Sequence, residues 1–178
     1  SPDAGLQNSR STVAGDTLKK RLSLMNEFDS SFRSKFKSDD VKAYTEFYDE
    51  TMKLLASSDL QAFSLSGVDS ATKALYGTSG FSKGCMLASR LVQSGVRFVE
   101  VRLGGWDMHI GVDQAMTRVG GEMDKGFASL ITDLKNKGLL DSTLVIMGSE
   151  FGRTPGINEN SGRDHYPKAY STVFAGGG

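Results

Sequence analysis

Both histidines of this chain lie within two residues of a carboxylate, in loop-like stretches that follow apolar ones. The first stretch is Gly104-Gly105-Trp106-Asp107-Met108-His109. The second, Ser149 to His165, reads SEFGRTPGINENSGRDH and carries Glu150, Arg153, Arg163, Asp164 and His165. A loop built from Gly, Asn and Pro cannot form a core, so its charged groups serve a ligand or face water. Asp107, His109, Glu150 and His165 offer two carboxylates and two imidazoles. That mixed oxygen and nitrogen set suits zinc, manganese or iron better than magnesium. Asp164 is a fifth candidate, as a ligand or as the partner that orients an imidazole. Arg153 and Arg163 carry the planar fork that matches the oxygens of phosphate or sulfate. A purely structural arrangement stays open beside this one. In it Glu150 caps a turn and pairs with Arg153, Asp164 and His165 hydrogen-bond their own loop, and Trp106 is a wall or core residue.

These residues need elements to hold them. VRFVEVRL, Val96 to Leu103, has the β-branched, alternating character of a strand. Val112, Met116, Val119, Met123, Phe127, Leu130 and Leu134 then hold helical spacing, and Thr143 to Met147 reads as a buried strand. Strand, helix, strand from 96 to 147 predicts a βαβ unit with parallel strands and a right-handed crossover. Sites in open α/β sheets lie beyond the carboxyl ends of strands, so both polar stretches are expected on one rim. Tyr170 to Ala175 reads as a third strand. Upstream, helices are expected over 69–76 and 81–94, the second with Cys85 inward as a small core residue.

Residues 11–57 predict a helical hairpin. Leu18, Leu22, Met25, Phe28, Phe32 and Phe36 mark one apolar stripe, and Val41, Tyr44, Phe47, Tyr48, Met52 and Leu55 the other. Both stripes are expected to pack inward. Residues 1–10 are polar and are expected to be a disordered tail.

Composition narrows the classes of function. Lysines plus arginines number 21 and so do aspartates plus glutamates, which argues against a general nucleic-acid surface. No apolar run approaches the ~20 residues of a membrane helix. A single cysteine excludes an internal disulfide and a cysteine zinc site. GxGxxG and the Walker pattern are both missing.

The stretches GGWDMH, NKGLLDSTLVIMGSEFGRTPGIN and GRDHYPKAYSTVFAGGG, with GFSKGCMLASRLVQSGVRFVEVRLGGWD upstream, resemble the bacterial domain-of-unknown-function 1501 family. The likeness runs continuously from about Leu60 to Gly178, and residues 11–57 fit it loosely. That family is similar to the alkaline phosphatase superfamily, which includes sulfatases. The resemblance implies a fold of class α/β: a partial α/β/α sandwich of alkaline phosphatase-like type with a mostly parallel sheet, the N-terminal hairpin added to it. Residues 58–178 would be the carboxyl-terminal portion of that domain. It also implies a divalent metal held by Asp107, His109, Glu150 and His165, zinc or manganese before magnesium, with small phosphorylated or sulfated esters as substrates. A periplasmic or extracellular home follows from the export signals its members carry.

Two departures limit the analogy. Phe151 stands where the superfamily usually has a histidine, so one ion is expected rather than two. The superfamily nucleophile follows the first strand of the fold, and nothing here takes that place, Ser149 and Thr154 included. The expectation is therefore part of a metal-dependent ester hydrolase, inactive by itself. The alternative is a catalytically silent, secreted binding or assembly module.

Overall fold

A computed structural model describes Leu6, Ser9 and residues 11–177. Apart from Leu6 and Ser9, the expected 1–10 tail lies outside the described residues. The chain divides into two compact units, with the boundary between Ser64 and Leu65.

The first unit holds α1 (Gly15–Lys35), α2 (Asp39–Ala56) and a 3-10 turn, Ser58–Phe63. The Ser38 hydroxyl accepts the Val41 N–H and so caps α2, while Asp39 and Asp40 complement the positive end of its dipole. Met25 and Tyr48 join the two helices, with Tyr48 Oη 3.5 Å from Met25 Sδ. The aromatic stripes do not pack inward as the sequence predicts. Neither helix contains a buried residue, and Phe28 is 76% and Phe47 70% exposed. The half-buried positions are Leu18, Leu22, Met25 and Arg33 in α1, and Val41, Thr45, Tyr48, Thr51 and Met52 in α2. Of the rings only Tyr48 joins the seam, while Phe28, Phe32, Tyr44 and Phe47 take the outer arc.

The second unit is built on α3 (Ser70–Tyr76), α4 (Gly80–Gln93) and α5 (Val112–Asn136). Asp69 caps α3 by accepting the Thr72 N–H at 2.9 Å, and Ser79 caps α4 by accepting the Ser82 N–H at 3.0 Å. The helices α4 and α5 approach closely at Gly126, where a Cβ would collide with the Phe81 ring. One core cluster is Tyr76, Cys85 and Met86, with Leu65, Val68, Phe81, Val101 and Leu130 around it. A second is Met108, Val112 and Val119, with Leu103, Trp106 and Ala115. Cys85 lies in the first cluster as expected, and burial pushes its thiol up to about 12, so it stays protonated at neutral pH.

A buried polar knot ties the three helices. Asp133 Oδ2 accepts the Tyr76 hydroxyl at 3.0 Å, the Ser89 hydroxyl at 2.6 Å and the Lys137 ammonium at 2.8 Å. Burial acts to raise the Asp133 carboxyl. Lys137, Ser89 and Tyr76 together outweigh it and hold the group below its ordinary value.

The remaining elements are short: β1 (Val145–Met147), β2 (Gly152–Arg153), β3 (His165–Tyr166) and β4 (Val173–Ala175). The pair β1 and β4 is antiparallel, with Ile146 opposite Phe174. The pair β2 and β3 is antiparallel, with Arg153 opposite His165. This overturns the α/β/α sandwich, because 56% of the structure is helical, 7% lies in short antiparallel strands, and there is no parallel sheet among the described residues. The missing partner is Val96–Leu103. It forms no strand, and residues 97–105 make no backbone hydrogen bond among the described residues. Its alternation is real, with Val99, Val101 and Leu103 half-buried and Phe98 83% exposed. Val101 and Leu103 pack against the two helical clusters. The periodicity therefore records packing on helices, not a ladder.

Candidate metal centre

Asp107 and His109 flank Met108, which is buried in the second cluster. Anchoring Met108 leaves its two neighbours directed away from that cluster. The second polar stretch is then stitched onto this one. Arg163 donates its backbone N–H to Met108 O at 2.9 Å, and the N–H groups of Gly111 and Val112 reach Asn160 O and Ser161 O at 3.1 and 2.8 Å. A Cβ at Gly162 would collide with the His109 carbonyl, so only glycine lets the loop lie directly on that backbone. Thr154 closes the β2–β3 hairpin: its N–H donates to Asp164 O at 2.9 Å, and its hydroxyl accepts the Asp164 N–H at 3.1 Å.

The result brings three donor atoms together. His109 Nε2 is 3.0 Å from Asp107 Oδ1 and 3.2 Å from His165 Nε2, and His165 Nε2 is 3.1 Å from Asp107 Oδ1. Atoms bonded to one ion at ~2.0–2.2 Å take up mutual spacings of about 3 Å, so the three residues fit a single transition-metal ion. Two imidazoles and one carboxylate leave coordination positions open for a ligand, as in catalytic zinc sites and in the iron facial triad.

The surroundings favour the ligating forms of His109 and Asp107. Asp164 Oδ1 lies 2.8 Å from His109 Nδ1 and accepts its proton, which directs the lone pair of Nε2 toward the other donors. Hydrogen bonding from His109, then from Asn158, holds the Asp164 carboxyl below its ordinary value. Hydrogen bonding from Arg153, then from His165, holds the Asp107 carboxyl down at about 2, so it is ionised throughout the neutral range.

The other predicted residues are placed differently. Glu150 is exposed and lies outside the three-residue group. Arg153 Nη2 donates to Asp107 Oδ1 at 2.7 Å, and its Nη1 stands 3.3 Å from His109 Nε2. Arg163 turns away, donating to the carbonyls of Thr154 and Pro155 at 2.7 and 2.6 Å. The Phe151 ring lies 4.5 Å from that of His165, centroid to centroid. The Ser149 hydroxyl donates to Phe151 O, and the Thr154 hydroxyl to Gly156 O.

Asn158, outside the residues expected from sequence, also belongs to the site. Its Nδ2 donates to Asp164 Oδ1 and to His109 O, both at 3.1 Å, and its Oδ1 accepts the N–H groups of Asn160 and Gly162 at 3.0 and 2.8 Å. The available signal was an asparagine followed by Glu-Asn-Ser-Gly, the composition of a turn closed by a side-chain amide.

These features define a mainly helical, strand-poor scaffold presenting a two-histidine, one-carboxylate centre. The profile of the family described as protein of unknown function (DUF1501) matches residues 3–178, and the chain belongs to that family. The match takes in α1 and α2 as well as the region beyond Leu60. No curated protein and no solved structure matches the chain. Among the described residues, no helix is long and apolar enough to cross a membrane.

Proposed function

We propose that Asp107, His109 and His165 hold one divalent transition-metal ion, zinc or manganese before magnesium, and that the centre serves hydrolysis of phosphate or sulfate esters. The observation that carries the reading is the mutual spacing of the three donor atoms, with Asp164 behind His109. A bound ion supplies Lewis acidity toward a phosphoryl or sulfuryl oxygen. Arg153, beside the donors, supplies the charge that recognises the rest of the anion. Asp164 orients His109, and the Phe151 ring limits how far His165 can turn. The reading rests on this centre and not on a sheet architecture. A place within the alkaline phosphatase superfamily, and the exported home it implies, are part of the same proposal, supported by the likeness of the sequence motifs.

A second reading is a metal-binding module without catalysis. The hydroxyls of Ser149 and Thr154 favour it, since both are engaged with backbone carbonyls. The test has two parts. Equilibrium dialysis with zinc and manganese should give one ion per chain, lost in His165→Ala. Aryl phosphate and aryl sulfate then separate the readings when the full-length protein is assayed beside this chain: metal-dependent turnover by the longer protein, lost with His165, supports the hydrolase, and metal binding without turnover in either supports the silent module. Absence of stoichiometric metal would remove both.

A further inference from the structure

We infer that Arg153 and the metal ion compete for the same atoms, so that loading the centre expels the Arg153 guanidinium and frees it to meet the ligand. The inference rests on the metal-centre reading above and concerns how that centre is filled. Its basis is the valence of one nitrogen. Neutral imidazole has a single lone pair. Asp164 accepts the proton of His109 Nδ1, so the lone pair is on Nε2. Arg153 Nη1 stands 3.3 Å from that atom as a donor, and an ion coordinated by His109 needs the same pair. Arg153 Nη2 also donates to Asp107 Oδ1, a second atom of the triad. One guanidinium thus occupies two of the three donors. Charge acts in the same direction, because a divalent ion and a guanidinium around one carboxylate oxygen repel each other in proportion to their closeness.

The register makes this arrangement a property of the fold. Arg153 is directly opposite His165 in the β2–β3 pair, so its backbone stays beside the centre wherever the side chain goes. Only the side chain must move. Besides the two donors, it has the Arg163 carbonyl at 3.3 Å from Nη1 as a partner. Once displaced, its cationic fork remains within reach of the open coordination positions, where an oxyanion can bridge it to the ion. Metal binding would then precede anion binding.

The inference fixes the sign of a mutational effect. If Arg153 merely propped Asp107 in place, removing it would weaken metal binding. If it competes, removing it strengthens binding. Hydrogen bonds to charged groups are strong enough that Arg153→Met should bind zinc at least about tenfold more tightly than the unmodified chain. Arg153→Lys, which keeps the charge but loses the fork, should fall between them. Zinc and manganese affinities of the unmodified chain, both variants and His165→Ala would be measured by calorimetry, with circular dichroism as the check on folding. Equal or weaker binding by a folded Arg153→Met overturns the competition while leaving the metal centre standing. If Arg153→Met does not fold, Arg153→Lys decides by the same criterion. No binding by the unmodified chain or by Arg153→Met overturns the metal centre itself, and the competition with it.

Discussion

Residues 15–56 and residues 65–177 treat their most distinctive side chains in opposite ways. In α1 and α2 the largest rings face outward and no residue is buried. In the second unit Tyr76 is fully buried, and its hydroxyl is matched to a carboxylate that also takes a serine and a lysine. The first unit is held by helix propensity, caps and a half-buried seam. The second is held by packing and by a polar knot that tolerates no missing partner. The metal centre belongs to the second unit, whose rigid helices and stitched loops keep donors from distant parts of the sequence about 3 Å apart. Substitutions should therefore separate the units, and within the second unit should separate affinity from stability.

The largest effect is expected at His165. Losing one of three ligands should lower metal affinity by more than about a hundredfold, since ligands matter more than the partners behind them. Because His165 is exposed, the thermal midpoint of His165→Ala without added metal should stay close to that of the unmodified chain. A fall in stability as large as the fall in affinity would show that the residue holds the loop rather than an ion.

Next comes Asp133→Ala, which strands the Lys137 ammonium and the hydroxyls of Tyr76 and Ser89. Breaking such a buried pair by removing one partner should destabilise the fold by about 3 kcal/mol, read from urea unfolding. The pH dependence has a definite sign. The Asp133 carboxyl is depressed in the fold below the usual 3.8. Its contribution is whole above that value and disappears as the pH falls through the lower, folded value. Acid unfolding of Asp133→Asn should therefore lose that component. Metal affinity at neutral pH, measured on the folded fraction, should not change.

Asn158→Ala should act in the other direction, on affinity more than on stability. Removing a group that orients a ligand's partner typically weakens metal binding by about 10–100-fold. Asn158→Asp, which keeps the acceptor for Asn160 and Gly162 but sets a carboxylate against Asp164, should not rescue it. Rescue would mean that the turn alone matters.

Much of the second unit was legible. The helices at 70–76, 80–93 and 112–136 follow from apolar spacing and from Asp69, Ser79 and Gly77 at their ends. The convergence of Asp107, His109 and His165 followed from their positions behind apolar runs, although the parallel strands invoked to explain it do not form. Val96–Leu103 shows why. Alternation records that one face is covered, and a helix covers it as well as a sheet does. Type and proximity in sequence group Glu150 with the histidines, but a residue two positions before a two-residue strand has no guaranteed direction. The role of Asn158 depends on four partners, His109, Asp164, Asn160 and Gly162, that only the folded loop assembles.

The smallest effect is expected in the first unit, and it tests the comparison most directly. A buried phenylalanine cut back to alanine costs about 3–5 kcal/mol, because apolar area is lost and a cavity is left. The apolar stripe of α1 and α2, taken from sequence, predicts that cost at Phe28 and Phe47. The structure places both rings largely in solvent, where neither term applies. Phe28→Ala and Phe47→Ala should each change the free energy of unfolding by no more than about 0.5 kcal/mol, and alanine's higher helix propensity offsets part of any loss. The measurement is urea unfolding of each variant at low protein concentration, followed by helical circular dichroism. The double variant should behave as the sum of the two, since exposed side chains without shared partners do not couple. A loss of 2 kcal/mol or more from either single variant would mean that the ring is covered in solution, and the contrast between the units would collapse. A loss that grows with protein concentration would identify the cover as another molecule, and one independent of concentration would assign it to the chain itself.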